Sequence, residues 1–160
     1  MAAKHTRRVL LLIGFILFSH AVPARSPEQL EDTIDFETSL ETIAETVRTG
    51  QLEQIDPERY FMLTGSVASI IVFDPNPESF QAVVELVAGG WDGLDSISVS
   101  RVYVLLQGPE FAERVPERPR PGAEPGTIEV HERILVIGPF VGTAQLQDEE
   151  LGVIQAVRIR

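Results

Sequence analysis

Beyond residue 24 only one histidine remains to shuttle protons, His131, and no cysteine or lysine is available as a nucleophile. A serine–histidine–acid triad would have to use His131, yet no Gly-x-Ser-x-Gly turn presents a serine. His131 sits between Val130 and Glu132 and reads as an edge histidine near carboxylates, so no catalytic residue is assigned. A zinc site needs several His or Cys ligands, which His131 alone cannot supply beyond residue 24. Calcium accepts carboxylates, but Asp148-Glu149-Glu150 are consecutive, without the alternating spacing of a calcium loop. No metal site follows. Gly89-Gly90-Trp91-Asp92-Gly93 carries no lysine and opens no helix, so it is not a phosphate-cradling loop, and no cofactor is expected. Paired carboxylates of the glycosidase kind depend on three-dimensional separation, and 24 acidic residues leave that route open. The remaining chemistry is recognition. Trp91 is the only tryptophan, and Arg101 and Tyr103 follow on one strand parity. Together they could stack on and hydrogen-bond a ligand, while an isolated tryptophan of this kind more often plugs a core.

These residues must be positioned by elements whose order the pattern discloses. Lys4, Arg7 and Arg8 precede an apolar run from Val9 to Phe18, followed by Ser19, Ala21 and Ala24, the grammar of a secretory signal peptide. The run is shorter than the roughly 17 to 25 apolar residues of a membrane span. Residues 1–24 are therefore expected to be removed, after Ala21 or Ala24, leaving no stable membrane span and a protein exported to the periplasm or the medium. The remainder sets ten arginines against 24 acidic residues, a net charge of −14. Such a charge repels a phosphate backbone, which predicts no nucleic-acid partner.

Residues 25–34 read as a flexible lead-in to one domain over 35–160. Phe36, Leu40, Ile43 and Val47 form one apolar stripe, with Asp35 or Thr33 as cap and Gly50 as stop, predicting an amphipathic helix over 35–49. Strand character runs from Tyr60 to Phe73 with apolar residues on both parities, which suggests a bulge at Gly65. A second strand over Phe80–Leu86 stops at Gly89-Gly90, and a third covers Ser98 to Gln107. Gly108-Pro109-Glu110 opens a short helix, a proline-rich loop covers 116–126, and strands return from Ile128 to Val141, interrupted at Gly138-Pro139, and from Val153 to Ile159. Leu63, Val67, Val84, Leu86, Val104, Val136 and Val157 are the expected interior.

Five strands with a short helix between the third and fourth is the order of an OB-fold, and an SH3-like barrel or a small β-sandwich shares parts of it. Phe61-Met62-Leu63-Thr64-Gly65-Ser66-Val67 and Ile134-Leu135-Val136-Ile137-Gly138-Pro139-Phe140-Val141-Gly142 resemble strands of exported bacterial OB domains of the tRNA-anticodon-binding-like group. The resemblance covers roughly 59–160. It implies a mainly β fold, a small five-stranded Greek-key barrel with the N-terminal helix added, and it carries over no functional residue. OB-folds bind on the face of strands 2 and 3 and at adjoining loops; Trp91 falls in the loop between those strands, Arg101 and Tyr103 on strand 3. The functional expectation is an exported non-enzymatic binding or interaction domain for an unknown protein, peptide or small ligand. The alternative is a carboxylate-dependent hydrolase of the envelope.

Overall fold

A computed structural model describes residues 33–91, 93, 97–115, 126–146 and 149–160. The expected signal peptide, nearly all of the lead-in, and the proline-rich loop save Gly126 lie outside these residues. Among the described residues no helix is long and apolar enough to cross a membrane.

The chain enters through β1 (Ile34–Asp35), which pairs in parallel with the start of β2 (Tyr60–Asp74). This pairing delays the helix. Asp35 is held extended opposite Phe61, and its carboxylate accepts from the backbone N–H groups of Glu37 and Thr38 at 2.8 and 2.9 Å. Helix α1 therefore starts at Leu40, with Ser39 as its cap, and ends at Arg48; Phe36, expected on the buried stripe, is exposed. Leu40, Ile43 and Val47 remain buried, as their spacing requires.

Besides β1, β2 serves two neighbours. Its first half pairs with β5 (Arg133–Leu146) and its second with β3 (Gln81–Trp91). The ladder breaks between Val67 and Ser69, so Ala68 is the bulged residue and the inward parity changes from Leu63 and Val67 to Ile70. Gly65, where a bulge was expected, instead pairs in register with Ile134. A Cβ there would lie 2.7 Å from the Val87 carbonyl oxygen, so glycine permits a close crossing of β2 over β3.

β3 continues through Gly89-Gly90 rather than stopping there, and forms a long hairpin with β4 (Ile97–Gln107). A four-residue helix α2 (Pro109–Ala112) follows, Pro109 in its first turn. Phe111, Val115 and Ile128 join the core where β4 ends. His131 lies at positive φ in a turn, so β5 begins at Arg133, later than expected. It runs through Gly138-Pro139 unbroken. Gly138 is required because a Cβ would strike the backbone carbonyl of Gln155, where β5 passes from β2 to β6 (Glu149–Gln155).

β6 lies parallel to β4, and the chain breaks at Ala156 and Val157 before β7 (Arg158–Ile159) pairs with β5. That break corrects one core assignment: Val157 is half exposed, and Ile154 and Ile159 are the buried residues. The circuit β2–β3–β4–β6–β5–β2 is closed. Its interior holds Leu63, Val67, Val84, Leu86, Val104 and Val136, all at 1% exposure or less. α1 seals the end where β4 and β6 begin, with Ile43 and Val47 against Gly152.

Candidate functional site

The β3–β4 hairpin sets the geometry, because directly opposed residues of an antiparallel pair share a face. Its register opposes Trp91 to Ile97, Gly89 to Val99, Val87 to Arg101 and Glu85 to Tyr103. Val84, Leu86, Val102 and Val104 fill the other face, so these four rows point outward. At the distal rows Trp91 is 74%, Ile97 77% and Val99 62% exposed, an apolar platform rather than a plug. The more favoured expectation for Trp91, closure of the barrel, is thereby corrected. Gly89 contributes no side chain, and a Cβ there would meet nothing within 4 Å, which keeps the platform flat.

Arg101 and Tyr103 lie on the same face, but at a strand rise of about 3.4 Å per residue the Arg101 row is roughly 13 Å from the Trp91 row. The three do not converge into one cage. Arg101 is occupied: it pairs with Glu85 at 3.7 Å and with Glu149, while Glu85 also accepts from the Ser69 hydroxyl at 3.0 Å. Tyr103 is buried, its hydroxyl unpartnered. Burial, reinforced by the charge of Glu85, raises its pKa. It supports the strand and offers no hydroxyl to a ligand. Ile97 and Val99 were missed, although the alternation Ile97-Ser98-Val99-Ser100-Arg101 places both on Trp91's side of a hairpin.

A cleft of about 450 Å³ opens between α1, β4 and β6, lined by Glu45, Glu149 and Glu150 among others. Each carboxylate there has a donor: Arg48 for Glu45 at 2.5 Å, Arg101 for Glu149, and the Thr143 hydroxyl for Glu150 at 2.5 Å. The Arg48 guanidinium holds the Glu45 carboxyl below the usual carboxylate range. A glycosidase acid needs the opposite, a raised pKa. Among the described residues no three His, Cys, Asp or Glu side chains converge on a metal position.

A closed five-stranded barrel in this strand order, with β4 and β6 parallel, is an OB-fold. No family model matches the chain, and no curated protein does. Solved structures do match, at the level of fold. A small single-stranded DNA-binding protein from Streptomyces coelicolor is 16% identical, with 63% of this chain and 89% of that one covered and a TM-score of 0.39. The Plasmodium falciparum SSB complex with ssDNA is 10% identical, with 63% and 90% covered and a TM-score of 0.40. The N-terminal domain of PriB from Thermoanaerobacter tencongensis is 13% identical, with 63% and 92% covered and a TM-score of 0.39.

The expectation that nucleic acid is excluded, and with it the exported domain for some other ligand and the envelope hydrolase, is corrected: two of these neighbours are by description single-stranded DNA-binding, and what this chain shares with them is the fold. The physical fault in that expectation was to average charge over the whole molecule. What a strand of bases meets is one face, and the outward hairpin face presents tryptophan and aliphatic side chains at its tip.

Proposed function

We propose that the outer face of the β3–β4 hairpin binds a short single-stranded nucleic acid by base stacking. The carrying observation is Trp91, three-quarters exposed and flanked by Ile97 and Val99 on the face that OB-folds use for oligonucleotides. A contiguous exposed apolar patch on so acidic a chain marks a contact surface. Stacking on an aromatic contributes about 1–3 kcal/mol per base and tolerates any sequence. Arg101 is already held by two carboxylates, so phosphate neutralisation at this face is small and binding here depends weakly on salt.

Because Trp91 is the only tryptophan, its fluorescence reports this face directly. Oligothymidylate is expected to quench it. Trp91→Ala is expected to weaken binding roughly 5- to 150-fold, the equivalent of about 1–3 kcal/mol, and Trp91→Phe to restore part of it. Unchanged fluorescence with thymidylate and uridylate oligomers at millimolar concentration would sink the reading. Quenching that depends on protein concentration alone would replace it with self-association through the hairpin.

The reading includes two further parts. Kinship with the exported tRNA-anticodon-binding-like OB domains is supported by the glycine-punctuated segments around Gly65 and Gly138. Export is supported by the basic, apolar and small-residue order of residues 1–24, and places the ligand outside the cytoplasm. N-terminal sequencing of the native protein should start between Val22 and Ser26; an abundant soluble form beginning at Met1 or Ala2 ends the export claim.

A further inference from the structure

The described arginines fall into two groups apart from Arg114, whose guanidinium donates to the carbonyl oxygens of Gly126 and Ile159 at 2.8 Å. Arg48, Arg59 and Arg101 are each engaged by carboxylates. Arg133, Arg158 and Arg160 are exposed, and none of them forms an ion pair among the described residues, on a chain with 24 acidic residues to choose from. Register places all three on one face. Ile134, Val136 and Ile159 are buried, so Arg133, Arg158 and Arg160 point outward. Arg158 lies opposite Ile137, and Arg160 exchanges backbone hydrogen bonds with Leu135 at 2.7 and 2.9 Å. Beside the arginines lies a floor of half-buried Leu135 and Ile137, continued by Met62 on β2, and no outward position of β7 or of the facing stretches of β2 and β5 is acidic.

This face is continuous with the hairpin. Arg133 pairs with Ser66, Ser66 with Val87, and Val87 with Arg101, one outward row across four strands. At about 4.8 Å per strand, Arg133 is roughly 14 Å from the Arg101 row, a distance several nucleotides span. We propose that Arg133, Arg158 and Arg160 form a phosphate-binding track that receives the backbone of the same strand whose bases stack on Trp91. The inference rests on the hairpin reading for the identity of the ligand. Guanidinium is the cation suited to this task, since its planar fork matches phosphate bidentately. Arg158 on β7 and Arg160, the residue after its end that continues the pairing to Leu135, are set about 7 Å apart, so one extended chain can meet both. The same track explains how so acidic a protein could hold a polyanion: attraction is concentrated on one strip whose outward strand positions hold no acidic side chain.

The test compares wild type with the triple variant Arg133→Gln, Arg158→Gln, Arg160→Gln, using labelled oligothymidylate of about four and about twelve nucleotides, within the span of OB-fold site sizes. For the long oligomer, the wild-type slope of log K against log salt should exceed that of the triple variant by about 2, from roughly 0.7 per single-strand phosphate. Quenching of Trp91 by the short oligomer should be the same in both proteins. A triple variant with wild-type affinity and slope for the long oligomer overturns the track and leaves the hairpin reading intact. An abasic phosphodiester oligomer tests the track without stacking. If it binds wild type and not the triple variant while Trp91 is never quenched, the track stands and the hairpin reading fails. If it binds neither protein, or if polyglutamate displaces it at equal charge concentration, the track is overturned.

Discussion

Leu63→Ala puts the assignment of the barrel interior to a quantitative test. Leu63 is 1% exposed and lies opposite Val136, which is fully buried. The substitution removes three carbon groups, a transfer loss of about 2.4 kcal/mol at ~0.8 kcal/mol each. The cavity adds to this, because β2 is clamped at that point: β5 pairs along one side, and the crossing over β3 at Gly65 lies two residues away. Little collapse is available, so a total of about 3–4 kcal/mol is expected, inside the range of roughly 2–5 for buried leucines. For a domain of this size that lowers Tm by about 10–15 °C. The assay is urea denaturation followed by circular dichroism, with the m-value checked for constancy. Val157→Ala, at a half-exposed position, is the paired control and should cost no more than about 0.5 kcal/mol. If Leu63→Ala costs less than the control, the inward parity of β2 is wrong and the register argument for the outer face falls with it.

Gly138→Ala should destabilise by at least about 1–3 kcal/mol, since its Cβ meets the backbone carbonyl of Gln155, while Gly89→Ala, with open space, should leave the thermal midpoint nearly unchanged. Tyr103 has a folded pKa raised above 10.0 by burial and then by Glu85, so its contribution to stability is complete below about pH 10 and is lost as pH rises through the folded value. Tyr103→Phe should hold or raise stability at neutral pH and flatten that alkaline loss, measured by denaturation from pH 8 to 12; a steeper loss refutes the account. Asp35 has a pKa lowered below 3.8, first by the Thr38 backbone N–H, so its contribution is present above that pH and fades as pH falls through the folded value. Asp35→Ala should therefore reduce stability at pH 7 but not at pH 2, and an equal reduction at both would contradict it.

Much of the barrel was legible because a strand's two faces print themselves as alternation. Ala82, Val84 and Leu86 are buried as their spacing demanded, and the mixed parity of 60–73 did signal a change of face. The position of that change was not legible. Glycine suggested Gly65, whereas the ladder places the extra residue at Ala68, because a bulge is set by what each half of the strand pairs with. Gly138-Pro139 misled for a related reason: it looks like a breaker, but its glycine is demanded by a carbonyl from a strand later in the chain. At the site, the shared face of Arg101 and Tyr103 followed from parity, while Trp91, expected in the loop, joins that face only because β3 extends to pair it with Ile97. Their separation, and the capture of Arg101 by Glu149, depended on register and on β6 lying beside β4. The arginine strip was invisible because it joins residues from β5 and β7 that only pairing brings together.

The seating of α1 on the last long strand has a consequence for the order of events during folding. Ile43 and Val47 pack against Gly152, and β2 finds half its partners in β5, so both closures wait for strands about 70 to 110 residues further along. Contacts this distant in sequence carry a large loop-closure cost before they return any stability, which places folding on the slow side for a small domain. A ribosome adding about 5–20 residues per second therefore releases most of this polypeptide before its barrel can close. Until then the β2–β3–β4 meander, whose pairings are local, is the large element able to form early. A truncation before Glu149 would leave that meander paired, the side of α1 that meets β6 uncovered, and the nascent chain in need of a holding chaperone.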